Sequence, residues 1–307
     1  MEYLEFKPDE RLAKYVECYW YAFSPRPPFQ DRESLIPDGT IECMFNFGDS
    51  YSQLVGDVRE AVKGSHVIGI RKEALTISQT GRQHFFCIRF KPGGTYPFFG
   101  VPAHLFANSF HGMSDLFGKE TGELEERLYH AKDNMERVVL CDGFLLRKFS
   151  EGIYEVEFAQ KLVPALLAAG NIRQVLTDFN VTHKTLERRF ERVLGVSPME
   201  FVKIKRFNRA VHAMYGCEFK SLTDIGYSCG YYDQSHFIRE FKRLTGLTPR
   251  NFLERQFTIV QVIQPALAKR LMSVDLRPAP PVRPSVAGLR PWTKPDSGFG
   301  LSKSYNL

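Results

Sequence analysis

The chain has 307 residues, 43% of them hydrophobic and 25% charged, with a net charge of +6. That length suits two domains with cores of their own, and the composition excludes both a disordered polar chain and a disulfide-stapled miniature. No apolar run is long enough to span a bilayer, and the charged start Met1 to Glu10 lacks the apolar stretch of a signal peptide, so a cytoplasmic protein is expected.

The six cysteines, Cys18, Cys43, Cys87, Cys141, Cys217 and Cys229, show no C-x-x-C spacing and no accompanying histidine cluster. Free thiols are expected, with no metal and no cofactor. Charge is unevenly spread. Residues 1–154 carry 18 lysines and arginines against 22 acidic residues, whereas residues 155–256 carry 16 against 11. A polyanion partner is expected for the second segment and a different task for the first.

In chain order, Pro8 and Asp9 open a short helical stretch, and Cys18 to Phe23 reads as an aromatic strand. Ser24 to Pro28 is a loop and Ile36-Pro-Asp-Gly39 a turn. Ile41, Cys43, Phe45 and Phe47 alternate with Glu42, Met44 and Asn46, the pattern of a half-buried strand. Val67–Ile70, Ala74–Ser78 and Phe85–Phe90 are further strands. Short strands punctuated by turns suggest a small β-barrel or sandwich. Glu42, His66, His84 and Arg89 are candidate pocket-lining groups, each more ordinarily a satisfied structural polar group. Residues 114–149 turn helical, with Leu124, Leu128 and Tyr129 on one stripe.

Residues 155–169 read as another helix, and from there the chain repeats itself. Thr182 to Phe201 and Asp233 to Phe252 align without a gap. The alignment places Arg188 on Arg239, Phe190 on Phe241, Arg192 on Arg243, Gly195 on Gly246, Pro198 on Pro249 and Phe201 on Phe252. Each copy opens on a helix cap, Thr182 or Asp233, and closes on a glycine suited to a left-handed cap. Apolar residues fall on one face, Leu186, Phe190, Val193 and Leu194 in the first copy and Phe237, Phe241 and Leu244 in the second. A short helix precedes each: Asn171 caps Ile172–Phe179 with Asn180 in the turn, and Ser221 caps Leu222–Cys229 with Gly230 in the turn. Helix, tight turn and a second helix with a basic outer face is the helix-turn-helix plan, whose second helix enters the major groove.

Met199 to Tyr215 is a helix joining the two units, with Lys203, Lys205, Arg206 and Arg209 as phosphate contacts or ordinary solvated charge. Beyond Phe257 the Pro-rich composition cannot pack a core, and a mobile basic tail is expected.

The paired units resemble the DNA-binding domain of the AraC/XylS family of bacterial transcription regulators. Gly230 to Pro249 is similar to that family's signature almost throughout. The family usually has a small residue where Leu176 stands. The first half resembles the β-rich N-terminal domain of undefined function found in a subgroup of these regulators. That likeness rests on Tyr19-Trp20, Pro37-Asp-Gly39, Gly69, Arg89–Gly94 and Phe99–Pro102. The resemblance implies a cupin-like barrel that senses a small-molecule effector, helices that pair two chains, and RNA polymerase as a partner.

The expected fold is therefore multidomain α+β. A β-barrel-like (cupin-like) domain with helices spans 1–112, linking or dimerising helices span 113–154, an all-α double helix-turn-helix domain spans 155–256, and a disordered tail spans 257–307. The expected function is sequence-specific regulation of transcription on double-stranded DNA, without an enzyme activity. Two alternatives stay open: an enzyme such as a DNA-repair methyl acceptor that uses this domain only for docking, and an architectural DNA binder. The candidate DNA contacts are Thr182, Lys184, Thr185, Glu187, Arg188 and Arg192, with Asp233, Gln234, Ser235, Ile238, Arg239, Lys242 and Arg243. Arg188 and Arg239 suit guanine, Glu187 the cytosine amino group and Ile238 a thymine methyl. Residues 155–256 are expected to bind DNA as a separate fragment.

Overall fold

The computed structural model describes residues 2–25, 32–62, 64–149, 153–168, 172–216 and 221–254. Asn171, Cys217, most of the Ser24–Pro28 loop and the expected tail at 257–307 lie outside them.

The described residues of the first half hold ten strands. They are β1 Glu2–Phe6, β2 Val16–Ser24, β3 Arg32–Leu35, β4 Ile41–Asn46, β5 Tyr51–Val55, β6 Val58–Val62, β7 His66–Ile68, β8 Leu75–Ser78, β9 Gln83–Phe90 and β10 Phe110–Gly112. They form two antiparallel sheets rather than a closed barrel, a six-stranded one in the order β1-β2-β9-β4-β7-β10 and a four-stranded one in the order β3-β8-β5-β6. Helix α1 (Tyr96–Phe99) and a 3₁₀ turn (Ala103–Phe106) sit between β9 and β10, and α2 (Met113–Phe117), α3 (Glu120–His130) and α4 (Asn134–Lys148) follow. The segment before β2, expected to be a helix, is a chain of turns closed by bonds such as Tyr15 N–H to Leu12 carbonyl at 2.8 Å.

The central strand β9 explains how the layers fit. Phe86, Ile88 and Phe90 enter one apolar cluster while Phe85 and Cys87 enter another, so the strand is covered on both faces. The first cluster carries the sheet onto α4, through Val138, Cys141, Phe144 and Leu145. The second fills the space between the sheets with Trp20, Met44, Ile68, Ile77 and Phe85. Burying two faces of one strand is what makes this domain's core larger than either sheet could build alone.

The second half is helical. It comprises α5 (Ile153–Ala168), α6 (Ile172–Asp178), α7 (His183–Leu194), α8 (Pro198–Gly216), α9 (Leu222–Ser228), α10 (Gln234–Thr245) and α11 (Pro249–Glu254). No described helix is long and apolar enough to cross a membrane. The two halves share their cores. Val156, Ala159, Leu162, Leu186, Phe190 and Val193 belong to the cluster beneath the larger sheet, and Ile204, Phe207, Phe237 and Phe241 belong to the inter-sheet cluster. A fragment cut at residue 155 would uncover this apolar surface, so the packing favours the intact chain over an independent fragment.

Of the candidate pocket-lining residues, Glu42 and His66 are satisfied by hydrogen bonds inside the fold, while His84 is held by ring contacts with its Nε2 left without a partner among the described residues. Glu42, 2% exposed, accepts from Trp20 Nε1 at 2.8 Å and from Arg89 Nε at 2.7 Å. His84 meets the rings of Tyr21, Phe23 and Phe47 edge-on. His66, 1% exposed, donates from Nδ1 to the Gly64 carbonyl at 3.0 Å and accepts at Nε2 from the Tyr51 hydroxyl at 2.6 Å. Burial pushes the His66 imidazole down to about 4. Below about pH 6.5 the unfolded chain takes up a proton that the folded chain refuses until about pH 4. Stability therefore falls with pH across that window, by up to roughly 3 kcal/mol from this residue. Denaturant midpoints of the protein and of His66→Gln, compared between pH 7 and pH 4.5, should show a shallower acid loss in the variant; equal losses would assign the acid sensitivity to other groups.

Candidate nucleic-acid interface

Each repeat folds as a helix pair with the same turn. In the first, Asn180 adopts a positive φ of 47° and the Val181 N–H closes onto the Leu176 carbonyl at 3.0 Å. In the second, Gly230 has φ 84° and the Tyr231 N–H closes onto the Gly226 carbonyl at 3.0 Å. Leu176 and Gly226 thus hold the same place, and the small residue occurs only in the second unit. Leu176 packs half-buried against the core.

The caps form as their residue types dictate. Thr182 accepts the Thr185 N–H, and Asp233 accepts the His236 N–H at 2.7 Å. Gly195 and Gly246 close α7 and α10 in the left-handed conformation at φ 88° and 75°. With Leu186, Phe190, Phe237 and Phe241 buried, the opposite faces point outward.

Those outward faces differ. On α7, Lys184 and Arg188 are exposed, with Thr182 beside them; Thr185 is half-buried and takes the Thr182 hydroxyl at 3.0 Å. Glu187 lies 3.5 Å from His183 Nδ1. Arg192 is exposed but extends over the Tyr96 ring, 5.7 Å from its centroid, toward the sheet domain. On α10, Gln234, Ser235, Arg239 and Lys242 are exposed and Ile238 is half-buried among them. Arg243 is exposed but pairs with Glu200 at 2.8 Å. The structure thus gathers Lys184, Glu187 and Arg188 on one surface and Gln234, Ser235, Ile238, Arg239 and Lys242 on the other. Arg192 and Arg243 stand at the edges with partners of their own.

The joining helix is fixed to the second unit by its charged residues. Arg206 clamps Glu240 of α10 with two bonds, at 3.1 and 2.6 Å, and lies over the Tyr231 ring. Glu240 is 6% exposed, so this pair is an internal brace rather than a phosphate contact. In the first unit Arg189 does the equivalent, bonding Glu155 at 2.9 Å above the Phe158 ring. Lys205 also turns inward, donating to the Asp38 carbonyl at 2.9 Å. Tyr232 was not among the sequence candidates. It stands 85% exposed beside the α10 cap, while its neighbour Tyr231 is buried. The Tyr-Tyr doublet after Gly230 was the available signal, since successive side chains in an extended turn point opposite ways.

Comparison with known proteins divides the chain in the same way. Residues 4–111 match a family described as a domain of unknown function (DUF6597), and residues 176–255 match one described as a helix-turn-helix domain. The HTH-type transcriptional activator RhaS of Escherichia coli O139:H28 is 34% identical over 77 residues, 25% of this chain and 27% of that protein. RhaS of Klebsiella pneumoniae is 28% identical over 88 residues, 29% of this chain and 31% of that protein. Each alignment thus spans less than a third of the relative's length. Among solved structures, ToxT from Vibrio cholerae is similar at a TM-score of 0.44 and 12% identity, covering 76% of this chain and 97% of that one.

Proposed function

We propose, for a chain that belongs through its paired helix-turn-helix units to the AraC/XylS family, that it regulates transcription by binding a specific sequence of double-stranded DNA. One observation carries the reading: two capped helices of the same repeat expose an arginine at the equivalent position, Arg188 and Arg239, with Lys184 and Glu187 beside the first and Ser235 and Ile238 beside the second. Different neighbours imply different half-sites. The 19-residue α8 joins the units, a span of about 28 Å. One chain would then cover two unlike sites about ten base pairs apart on one face of the duplex.

The same reading carries further parts. DNA is reached in the cytoplasm of a bacterial cell, and RNA polymerase is the partner through which a bound regulator acts. Met135 and Val139 on α4 and Tyr129 on α3 are exposed apolar residues that suit pairing with a second copy. The reading as a DNA-repair methyl acceptor needs a reactive thiolate. Burial instead pushes up the thiols of Cys18, Cys43, Cys87, Cys141 and Cys229.

Selection of bound sites from random DNA tests the proposal. The full chain should enrich one two-part, non-palindromic motif. Arg239→Ala should cost about 1–3 kcal/mol and relax one position of one half-site, while Lys242→Ala weakens all sequences alike. An Arg239→Ala protein that selects the unchanged motif would reassign that arginine to the phosphates. Enrichment of no motif at all would favour an architectural binder.

A further inference from the structure

A cavity of about 330 Å³ lies where the linking helix α8 meets the sheet domain. Its walls come from both halves of the molecule. Glu17 of β2, Asp38 and Thr40 of the turn before β4 and Arg89 of β9 stand on the sheet-domain side, and Leu167 of α5 adds an apolar edge. On the other side stand Lys205, Asn208, Arg209 and His212 of α8. These four follow the i, i+3, i+4, i+7 spacing of a single helix face. On a docked helix that stripe ordinarily carries apolar residues. Here Ile204, Phe207, Ala210 and Val211 supply the packing, leaving a polar stripe turned toward the sheet domain.

The polar atoms on this wall are under-used. Asn208 is 4% exposed, yet neither its Nδ2 nor its Oδ1 has a hydrogen-bond partner among the described residues. Arg89, also 4% exposed, bonds Glu42 through Nε and Nη2, but its Nη1 has no partner. Thr40 Oγ1 is buried and equally without one. Buried polar atoms of native proteins are nearly always satisfied, and four such atoms lining one cavity point to a missing occupant. The Lys205 ammonium donates to the Asp38 backbone carbonyl and lies over the Phe201 ring, while the nearby Asp38 carboxylate is held by Arg71 at 2.5 Å. Burial pulls the Lys205 pKa below its ordinary value, which an anion beside it would offset. Two carboxylates also stand on the lining, but Asp38 is taken by Arg71 and Glu17 is exposed. Among the buried atoms left over, the Arg89 and Asn208 N–H groups are donors, Asn208 Oδ1 is an acceptor and Thr40 Oγ1 can serve as either.

We propose that this cavity binds a small hydroxylated carboxylate, its carboxylate held by Arg89 and Lys205 and its hydroxyl by the Asn208 amide. Such a ligand ties the sheet domain to the helix that spaces the two recognition helices, so its binding resets how the second unit is held. This regulatory consequence rests on the DNA-binding reading, whereas the site itself does not.

Thermal melting of the full chain tests the site, with glycolate, malate and citrate as probes. Glycerol serves as the uncharged control and chloride as the control for ionic strength. At least one hydroxy-carboxylate should raise the melting temperature saturably, with no rise from either control. Asn208→Leu should melt no lower than the parent without ligand, having lost an unsatisfied amide. In Asn208→Leu and in Lys205→Met the half-saturating concentration should rise about tenfold or more. No carboxylate-specific rise in the parent, or an equal rise in both variants, overturns the proposal. DNA affinity measured with and without the active probe tests the consequence. A carboxylate-dependent rise in a chain that selects no DNA sequence would leave the site standing and remove the regulatory reading.

Discussion

Glu42→Ala is expected to cost about 3–5 kcal/mol of folding stability, the scale for stranding one partner of a buried ion pair. The Glu42 carboxylate is the counter-ion of Arg89, with Oε1 2.7 Å from both Nε and Nη2, and both side chains are nearly fully buried. It also accepts the Trp20 indole N–H. Removing it leaves a guanidinium charge and an indole donor in the core between the sheets. Replacing both Glu42 and Arg89 by methionine should recover much of the loss, because an apolar pair carries no desolvation penalty. Denaturant titration of the two variants measures this. A loss below about 1 kcal/mol for Glu42→Ala would mean that water reaches the pair.

The repeat provides its own control for the second large effect. Gly195 and Gly246 occupy equivalent left-handed caps, so alanine at either costs about 1–2 kcal/mol in backbone strain. Only Gly195 faces another domain. A β-carbon there would stand 2.8 Å from Ile70 Cγ2 and 3.0 Å from the Ala103 carbonyl oxygen, whereas at Gly246 nothing lies within 4 Å. Gly195→Ala should therefore cost about 1–3 kcal/mol more than Gly246→Ala, the usual penalty of overpacking. It should also loosen α7 from the 3₁₀ turn at Ala103–Phe106 and from Ile70. Melting temperatures of the two variants decide it. Equal shifts would show that the first recognition helix does not rest on the sheet domain in solution.

The second half of the fold was legible because its signals are local. The caps Thr182, Ser221 and Asp233, the turn residues Asn180 and Gly230, and the closing glycines each act within four residues of their position. The apolar stripes of α7 and α10 follow the period of one helix, so Leu186, Phe190, Phe237 and Phe241 were readable as buried without any partner in view. Strands β4 and β9 showed through for a similar reason, being rich in aromatic and branched residues.

Strands β3, β5, β6 and β10 did not. They are three to five residues long and owe their conformation to pairing with strands elsewhere in the chain, and Val58 to Ala61 of β6 are exposed. The turns before β2 carried a helical pattern, but β1 and β2 pair antiparallel with Phe6 opposite Tyr19, so the residues between them must reverse the chain, which a string of turns does and a straight helix does not.

Burial of charge separates the two sources of information most clearly. By themselves, Lys205, Arg206 and Asn208 are polar residues on a basic helix, and polarity predicts solvent. Packing α8 between α10 and the sheet domain turns Arg206 onto Glu240, Lys205 onto the Asp38 carbonyl and Asn208 into the cavity. The sequence by itself determined the two helix-turn-helix units and the faces they expose, since helix periodicity and capping are set within a few residues. Only the tertiary structure decided which polar residues those faces keep and which the interior takes. A side chain's direction relative to another domain depends on contacts more than a hundred residues apart, and no local pattern encodes them.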